Sequence, residues 1–210
     1  MLQSLTQIRK SQQHLTFKKN SKNKLMTGKS YIGNLLSAKG KKTYRTFNPL
    51  LNIENPTIFT EATSEEIEEA VSLASKAFKE YSKISGAKKA TFLNAIADEI
   101  LALDTELLKM YCLETGLPEA RAIGERSRTI GQLRSFANLV LEGSWVEATI
   151  DLAKPKREPL PKSDIRKMLI PIGPVVVFGA SNFPLAYSTA GGDTAASLAA
   201  GCTVIVKSHP

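Results

Sequence analysis

The chain contains little cysteine and little histidine, with two residues of each type among 210. Cys112 and Cys202 lie far apart and form no CxxC pair. This spacing argues against a disulfide-stapled secreted domain and against a cysteine zinc site. We therefore expect no metal site and a reduced, cytoplasmic setting.

Long apolar runs are also missing from the sequence. One of the most apolar stretches, residues 195–206, is interrupted by glycine and polar residues and is shorter than the roughly 20 residues of a membrane span. A hydrophobic content of 42% with 23% charged residues is typical of a globular protein. The length suits one domain or two small ones, and we expect no membrane partner.

Acidic residues are absent from residues 1–25, which carry six of the 28 basic residues. The rest of the chain therefore has 22 basic and 20 acidic residues, so the net charge of +8 belongs mainly to this leader. A basic excess confined to one end weakens a nucleic-acid function, and we expect no nucleic-acid partner. The leader lacks a secretory apolar core. A transit peptide remains open, but the composition favours a disordered extension, or an upstream start with Met26 as the true first residue.

Residues 26–144 are predicted to be mostly helical. Turn signals at Asn48-Pro49 and Asn55-Pro56 break residues 26–60 into short extended segments. Thr63 and Glu66 have the spacing of a capping box, which predicts a helix that runs to about Tyr81. Apolar periodicity and glycine stop signals predict three further helices, at about 87–103, 104–115 and 118–141.

The pattern changes to β-type after residue 144. Alternation over 145–152 and over 165–170, with a Lys/Pro-rich connection, predicts a protruding β-hairpin arm over residues 145–172. Residues 173–210 then predict a strand at 174–178, a small-residue helix after Asn182 that ends at Gly201, and a strand at 203–206. This is a βαβ unit, the first of an incomplete doubly wound parallel sheet, so the fold class is α/β.

Two loops follow the predicted strands, at residues 179–184 and 207–210. Ligands of open parallel sheets lie at this edge. A lysine there, Lys207, suits a ribose or phosphate, and an asparagine, Asn182, suits a developing oxyanion. Taken alone, the lysine is more often a solvated rim residue and the asparagine more often a turn residue. No GxGxxG motif is present, so an ordinary Rossmann phosphate loop is not in use.

Several motifs in order give the sequence a specific resemblance. Residues 171–185, PIGPVVVFGASNFPL, and residues 199–207, AAGCTVIVK, resemble the start of the cofactor domain in the aldehyde dehydrogenase superfamily. The family pattern there is P-x-G-x-V…N-F-P followed by A-A-G-N-x-V-x-x-K. Residues 47–49, 64–78 and 114–118 resemble upstream family landmarks, and the resemblance covers about residues 27–210.

The resemblance implies roles for single residues. Asn182 matches the family's asparagine that stabilises the oxyanion, and Lys207 matches the lysine that contacts the adenosine ribose. The backbone that lines the nicotinamide side corresponds to Phe178, Gly179, Ala180 and Ser181. Phe183 and Arg128 match positions of the aldehyde tunnel. The implied cofactor is NAD or NADP, the substrate a small aldehyde, and the parent enzyme a homo-oligomer.

One departure from the family pattern concerns the choice of cofactor. Many NAD-preferring members have a glutamate three residues after the lysine, where this chain has Pro210. Without that carboxylate a 2′-phosphate meets no like-charge repulsion, and Ser208 or His209 could hydrogen-bond it. NADP is therefore permitted beside NAD.

Ser181, residues 190–195 and the arginines of residues 126–134 are similar to the 2-oxoglutarate semialdehyde (2,5-dioxovalerate) dehydrogenase branch. Such a substrate has a distal carboxylate, for which an arginine is a natural clamp, and Arg128 is our candidate. Arg121, Arg128 and Gln132 are spaced to share one helix face. The alternative is that these arginines form surface ion pairs with Glu119, Glu125 or aspartates.

The family's catalytic cysteine and general-base glutamate have no counterpart in the chain. Both cysteines fit small core residues better than an activated thiolate, which needs a base, a cation or a helix N-terminus. We therefore expect the N-terminal portion of a semialdehyde dehydrogenase that is inactive by itself. The alternative is a non-catalytic chain that persists as a helical interaction or nucleotide-binding remnant.

Overall fold

A computed structural model describes residues 26–209. The predicted leader, residues 1–25, and Pro210 lie outside the described residues. The described part is a mixed α/β structure with helices and four two-stranded sheets, which confirms the predicted fold class.

Two antiparallel hairpins come first. Strands β1 (Ser30–Ile32) and β2 (Leu35–Ser37) pair with each other, and β3 (Thr43–Asn48) pairs with β4 (Ile53–Thr60). Asn48 closes the second hairpin, because its side-chain oxygen accepts hydrogen bonds from the backbone N–H groups of Leu50 and Leu51 at 3.0 Å each. The predicted short extended segments are thus confirmed.

Four helices follow within residues 64–142: α1 (Ser64–Tyr81), α2 (Gly86–Ala102), α3 (Asp104–Thr115) and α4 (Glu119–Glu142). The capping box of α1 is present, since Thr63 Oγ1 accepts from Glu66 N at 3.2 Å and Glu66 Oε2 accepts from Thr63 N at 2.9 Å. Helices α3 and α4 end at Gly116 and Gly143, both in the left-handed conformation that glycine tolerates. All four predicted helices lie within two residues of their predicted bounds.

The main core lies where α2, α4 and a later helix, α5 (Gly192–Ala200), pack together. Leu93 of α2 and Leu133 of α4 are almost completely buried there. Small residues let the three helices approach closely, namely Ala90, Ala97, Ala137, Ala195 and Ala199. This packing fixes α4 against the segment that carries the predicted site.

The β-hairpin arm is present, but its strands are shorter than predicted. Strands β5 (Thr149–Asp151) and β6 (Ile165–Lys167) pair antiparallel, and Lys154 pairs with Lys162 nearer the tip. The prediction of a strand from residue 145 was wrong, because Ser144–Val146 forms a turn of 3₁₀ helix directly after Gly143. Nearly all residues from 147 to 170 are exposed, so the arm protrudes.

The last described elements form the predicted βαβ unit. Strands β7 (Val175–Phe178) and β8 (Val204–Lys207) are parallel, and α5 connects them. The prediction of a helix that follows Asn182 directly was wrong, since residues 182–191 form turns and α5 begins only at Gly192. Within residues 26–209, no helix is long and apolar enough to cross a bilayer.

Candidate functional site

The carboxyl ends of β7 and β8 lie side by side. Phe178 and Lys207 are register partners, and Gly179 N donates to Lys207 O at 2.9 Å. A Cβ built on Gly179 would lie 3.1 Å from His209 N, so the two loops approach closely because position 179 has no side chain. The structure thus brings together four of the predicted cofactor residues, Phe178, Gly179, Lys207 and His209.

The loop after β7 folds back on itself. Ala180 N donates to Tyr187 O at 2.8 Å, and Tyr187 N donates to Phe183 O at 3.0 Å. Gly192 N donates to Ala186 O at 2.9 Å and joins this loop to the start of α5. Ser181 and Asn182 lie at the exposed tip of the loop. We use the name "site loop" for residues 179–187.

Helix α4 faces the site loop with two arginines. The guanidinium carbons of Arg121 and Arg128 lie 4.8 and 5.4 Å from the centroid of the Phe183 ring. Arg128 also lies 5.2 Å from the Tyr187 ring centroid, and its Nη2 donates to the Tyr187 hydroxyl at 2.8 Å. A shallow cavity of about 240 Å³ lies at this contact, lined by Ala120, Arg121, Gly124, Glu125, Arg128 and Phe183.

The ion-pair alternative was stated for Arg121 and Arg128, and only Arg121 has such a partner among the described residues, while two further arginines of α4 also form ion pairs. Arg134 pairs with Asp98 at 3.1 Å and Arg126 with Asp104 at 3.5 Å, while Arg121 Nε lies 3.7 Å from Glu125 Oε2. Arg128 has no carboxylate within 4.0 Å among residues 26–209. It contacts the Phe183 ring and the Tyr187 ring and hydroxyl, which leaves its charge uncompensated and exposed to an incoming anion.

Glu125 lies beneath the two arginines and is only 4% exposed. Its Oε1 accepts hydrogen bonds from Leu185 N at 2.8 Å and Ala186 N at 3.0 Å. Its Oε2 accepts from the Tyr111 hydroxyl at 2.8 Å. Burial, followed by this hydrogen bond, raises the pKa of Tyr111 to about 12.

The strand ends fit a dinucleotide in two respects. Residues 179–181 are glycine, alanine and serine, and the close approach of Gly179 to His209 makes a cradle that a Cβ would fill. An exposed lysine, Lys207, follows at the neighbouring strand end and supplies positive charge for a phosphate or a ribose contact. The residues present therefore fit the cofactor that the resemblance implies.

Neither cysteine lies at the loops that hold the predicted site. Cys202 is 3% exposed and follows the C-terminal end of α5. Cys112 is half-buried in α3 and packs against the cluster formed by Leu108, Tyr111 and Ala122. Among the described residues, no group of three or more His, Cys, Asp or Glu side chains could hold a metal ion.

Sequence reasoning missed Tyr187, and it named Glu125 only as a surface ion-pair partner, not as a buried residue that holds the site loop. Glu125 stands at helical spacing among the buried α4 residues Ala122, Thr129 and Leu133, and a charge on that stripe could have been noticed. Tyr187 carried no such signal, because its partner Arg128 is 59 residues away in the chain.

A larger cavity of about 580 Å³ lies between β4 and α3, and Met26, Pro56, Ile58 and Met110 contribute to its wall. None of the predicted site residues lines it. Its size alone does not make it the functional site, since the strand ends and the arginine pair lie elsewhere.

Comparisons with known proteins identify relatives of this chain. Residues 36–210 match the sequence profile of the family described as "Aldehyde dehydrogenase family". Alpha-ketoglutaric semialdehyde dehydrogenase 2 of Azospirillum brasilense is 52% identical over 186 residues, which are 88% of this chain and 35% of that protein. Alpha-ketoglutaric semialdehyde dehydrogenase of Acinetobacter baylyi is 44% identical over 87% of this chain and 35% of that protein.

Solved structures show the same fold. A betaine aldehyde dehydrogenase mutant from Staphylococcus aureus, in complex with NAD⁺, aligns with a TM-score of 0.74 at 22% identity over 86% of this chain and 35% of that one. An aldehyde dehydrogenase mutant from Bacillus cereus aligns with a TM-score of 0.70 at 27% identity over 87% and 36%. The chain thus spans about a third of the length of the relatives it matches. With its family profile matched over residues 36–210, this chain belongs to the aldehyde dehydrogenase family.

Proposed function

We propose that the protein oxidises alpha-ketoglutaric semialdehyde to the corresponding acid with NAD or NADP, and that this chain supplies the oxyanion donor, part of the cofactor site and the substrate clamp. The observation that carries the proposal is Arg128, an exposed guanidinium that contacts the Phe183 and Tyr187 rings and has no carboxylate partner among the described residues. The names of the two relatives at 52% and 44% identity support the same substrate.

In this proposal Arg128 binds the carboxylate at the far end of the substrate. A planar guanidinium makes two parallel hydrogen bonds to a carboxylate, and Tyr187 holds one of its nitrogens from the side. The Phe183 ring packs under the guanidinium and favours the charge through its π face. The clamp therefore fixes the substrate by its anionic end and leaves the aldehyde end free to reach the site loop.

Asn182 is the proposed oxyanion donor. Its side-chain amide N–H would donate to the aldehyde oxygen as negative charge develops there, which lowers the barrier most when the donor is already in place. The hydrogen bond from Arg121 Nη2 to Asn182 O, at 3.2 Å, restrains the backbone at this position.

The strand-end loops are the proposed cofactor site. Phe178, Gly179, Ala180 and Ser181 would line the nicotinamide side, and Lys207 would contact the adenosine ribose. When bound, the nicotinamide accepts a hydride. Residues 207–209 carry no carboxylate, so a 2′-phosphate would meet Lys207, Ser208 and His209 rather than a negative charge, and we propose that NADP is accepted as well as NAD.

The nucleophile must come from outside the described site, because Cys202 is buried behind α5 and Cys112 lies in α3. We therefore expect the purified 210-residue chain alone to give no NAD(P)-dependent aldehyde oxidation. Robust turnover by this chain would contradict the assignment of its cysteines to the core.

The test of the substrate uses the full-length protein that contains this chain. Initial rates are measured with alpha-ketoglutaric semialdehyde and with a neutral aldehyde of equal length, each with NAD and with NADP. Because a carboxylate clamp discriminates by about 2–3 kcal/mol, we expect kcat/KM to be roughly 30- to 100-fold higher for the carboxylated aldehyde. Equal values for the two aldehydes would overturn the proposed substrate, whichever cofactor is used.

A further inference from the structure

Glu125 is a buried carboxylate that joins three segments of the chain. Its Oε1 holds the backbone of the site loop at Leu185 and Ala186, and its Oε2 holds Tyr111 of α3. Glu125 itself belongs to α4, the helix that carries Arg121 and Arg128. The carboxylate therefore connects the arginine helix directly to the loop that carries Asn182.

These hydrogen bonds leave the buried charge well satisfied. Two backbone N–H groups and one hydroxyl donate to it at 2.8–3.0 Å, and Arg121 lies 3.7 Å away on the solvent side. Ala186 is fully buried, so its N–H would be left without a hydrogen-bond acceptor if the Glu125 carboxylate were removed. Hydrogen bonds to an ionised acceptor are about twice as strong as neutral ones. Loss of the Glu125 charge alone should therefore weaken its hydrogen bonds to the site loop, which we call the Glu125 anchor.

Glu125 acts on both ends of residues 182–186 of the site loop. Leu185 and Ala186 are bound directly, while Arg121 contacts Glu125 and also donates to Asn182 O. Between these points lies Phe183, the ring that packs under both guanidinium groups. Glu125 thus holds this stretch against α4 from beneath, while Arg121 and Arg128 contact it from the solvent side.

We infer that Glu125 is a positioning residue, which holds the Asn182 backbone and the Phe183 ring in register with Arg121 and Arg128. Its hydrogen bonds go to Leu185, Ala186 and Tyr111, none of which is a proposed substrate or cofactor residue. Its structural role stands on the contacts of this chain, and only its effect on turnover rests on the proposed function.

The first test measures backbone hydrogen exchange in the 210-residue chain at residue resolution. The variants are Glu125→Ala, Glu125→Gln and, as matched control, Glu119→Gln, an exposed glutamate of the same helix. We expect the amides of Leu185 and Ala186 to exchange at least about tenfold faster in Glu125→Ala, with a smaller increase in Glu125→Gln, because a neutral amide oxygen still accepts but more weakly. Glu119→Gln should leave both amides unchanged.

The amides of Leu93 and Leu133, in the main core, report whether a variant unfolds globally. If Glu125→Ala accelerates these as well, Glu125→Gln and Tyr111→Phe decide the question, since each weakens the anchor and keeps its shape. Unchanged exchange at Leu185 and Ala186 in a folded Glu125 variant would overturn the inference.

The second test uses steady-state kinetics of Glu125→Gln in the full-length protein. A displaced Asn182 should lower kcat by about tenfold for carboxylated and neutral aldehydes alike, whereas loss of the clamp alone would raise KM for the carboxylated aldehyde only. A kcat equal to that of the wild type would overturn the catalytic part of the inference. If exchange at the loop changes but the protein oxidises no semialdehyde, the proposed function fails and the structural anchor stands.

Discussion

Arg128 differs from its neighbours on α4 in the chemistry of its surroundings. Arg126 and Arg134 each lie within 3.5 Å of an aspartate oxygen, which compensates their charge at the surface. Arg128 contacts Phe183 and the Tyr187 ring and hydroxyl instead. An arginine held this way keeps its hydrogen-bonding edge for an anion, because aromatic faces attract the cation without neutralising it.

The corresponding prediction concerns Arg128→Ala in the full-length protein. Loss of the clamp should raise KM for alpha-ketoglutaric semialdehyde about 10- to 100-fold, the equivalent of roughly 1.5–3 kcal/mol for a charge-assisted contact. KM for a neutral aldehyde of equal length should change less than about threefold. The measurement is initial-rate kinetics with both aldehydes.

Arg134→Ala is the matched control for this prediction, since it removes an arginine of the same helix whose partner is Asp98. It should leave the ratio of the two KM values unchanged. A clamp role for Arg128 is untenable if Arg128→Ala raises both KM values equally.

Because of Tyr111, the free energy of unfolding should depend on pH in the alkaline range. Burial and the hydrogen bond to Glu125 raise its pKa to about 12 from an ordinary value of 10.0. The folded state therefore holds the phenolic proton at pH values where the unfolded state has lost it. The stabilisation is complete below pH 10 and is lost as pH rises toward 12, by up to about 2 kcal/mol.

Urea unfolding of the 210-residue chain at several pH values between 8 and 11 checks this dependence. Tyr111→Phe should be less stable than the wild type at pH 8, because Glu125 loses a donor, but its stability should fall less steeply above pH 10. Tyr81, whose pKa burial also raises to about 12, stays in both proteins and contributes equally. Parallel curves for the two proteins would contradict the role given to Tyr111.

At the scale of elements, α1 is joined to the N-terminal hairpin through its capping box. Glu66 is almost completely buried, and besides capping Thr63 its Oε1 accepts from the Ser37 hydroxyl and from Lys39 N. The hydrogen bond from Ser37, followed by those from the backbone of Thr63 and Lys39, lowers the pKa of Glu66 below 4.5. One residue thus caps the helix and attaches β2 to it.

Thr63→Ala should lower the free energy of unfolding by about 1 kcal/mol, since the N–H of Glu66 loses its acceptor at the helix start. Thr63→Ser keeps the hydroxyl and should stay within about 0.5 kcal/mol of the wild type. Urea denaturation at pH 7 measures both. Equal losses for alanine and serine would assign the effect to the Thr63 methyl group rather than to the cap.

Glu66→Gln tests the same element through the dependence of its stability on acidic pH. Because the folded pKa of Glu66 is lowered, its contribution is present above pH 4.5 and is lost as pH falls through the lower folded value. The wild type should therefore lose part of its advantage over Glu66→Gln below pH 4.5. A difference that stays constant over this range would argue against an ionised, hydrogen-bonded Glu66.

Elements with local signals were the ones that the sequence predicted well. The cap at Thr63 and the stops at Gly116 and Gly143 lie directly next to the helices they delimit, so the helix bounds follow from a few neighbouring residues. Residues 183–191 were wrongly predicted as helix, because their backbone bonds to distant partners. Leu185 and Ala186 donate to Glu125, some 60 residues earlier, and that bond has no counterpart in local spacing.

The residues of the candidate site also fall into two groups, those that a sequence pattern could propose and those that only tertiary contacts define. Arg128 and Lys207 could be proposed because a family pattern places them, and the strand-end position of Lys207 also follows from periodicity. Tyr187 and Glu125 act through tertiary contacts across 59 to 61 residues, which no local pattern encodes. The roles of Asn182 and Ser181 stay predictions, since both lie exposed at the loop tip without a side-chain partner that would define them.

At the scale of the whole molecule, the described residues leave much apolar surface exposed. On the arm, Ile150 and Leu152 of the β5 segment are 63% and 65% exposed, and Ile170 is 70% exposed. Apolar side chains are exposed on other elements as well, but an apolar patch on a protruding hairpin is typical of an interface. The arm therefore fits the predicted assembly of the parent enzyme into a homo-oligomer.

The last prediction tests the arm through two charged substitutions, Ile150→Lys and Leu152→Lys, made together in the full-length protein. Ile150 lies in β5 and Leu152 directly follows its last residue, and both side chains are exposed. Two lysines there would have to be desolvated at an apolar contact, so we expect the assembled species to dissociate to a smaller mass at micromolar concentration. Light scattering coupled to size-exclusion chromatography measures that mass.

The control for the arm is the pair Ile67→Lys and Val71→Lys on α1, which places the same charges on apolar residues that are 54% and 40% exposed elsewhere in the molecule. If assembly depends on the arm, this second pair leaves the mass unchanged while the first pair lowers it. If both pairs dissociate the protein, added charge rather than the arm is responsible. If neither does, the apolar face of the arm does not hold the assembly together.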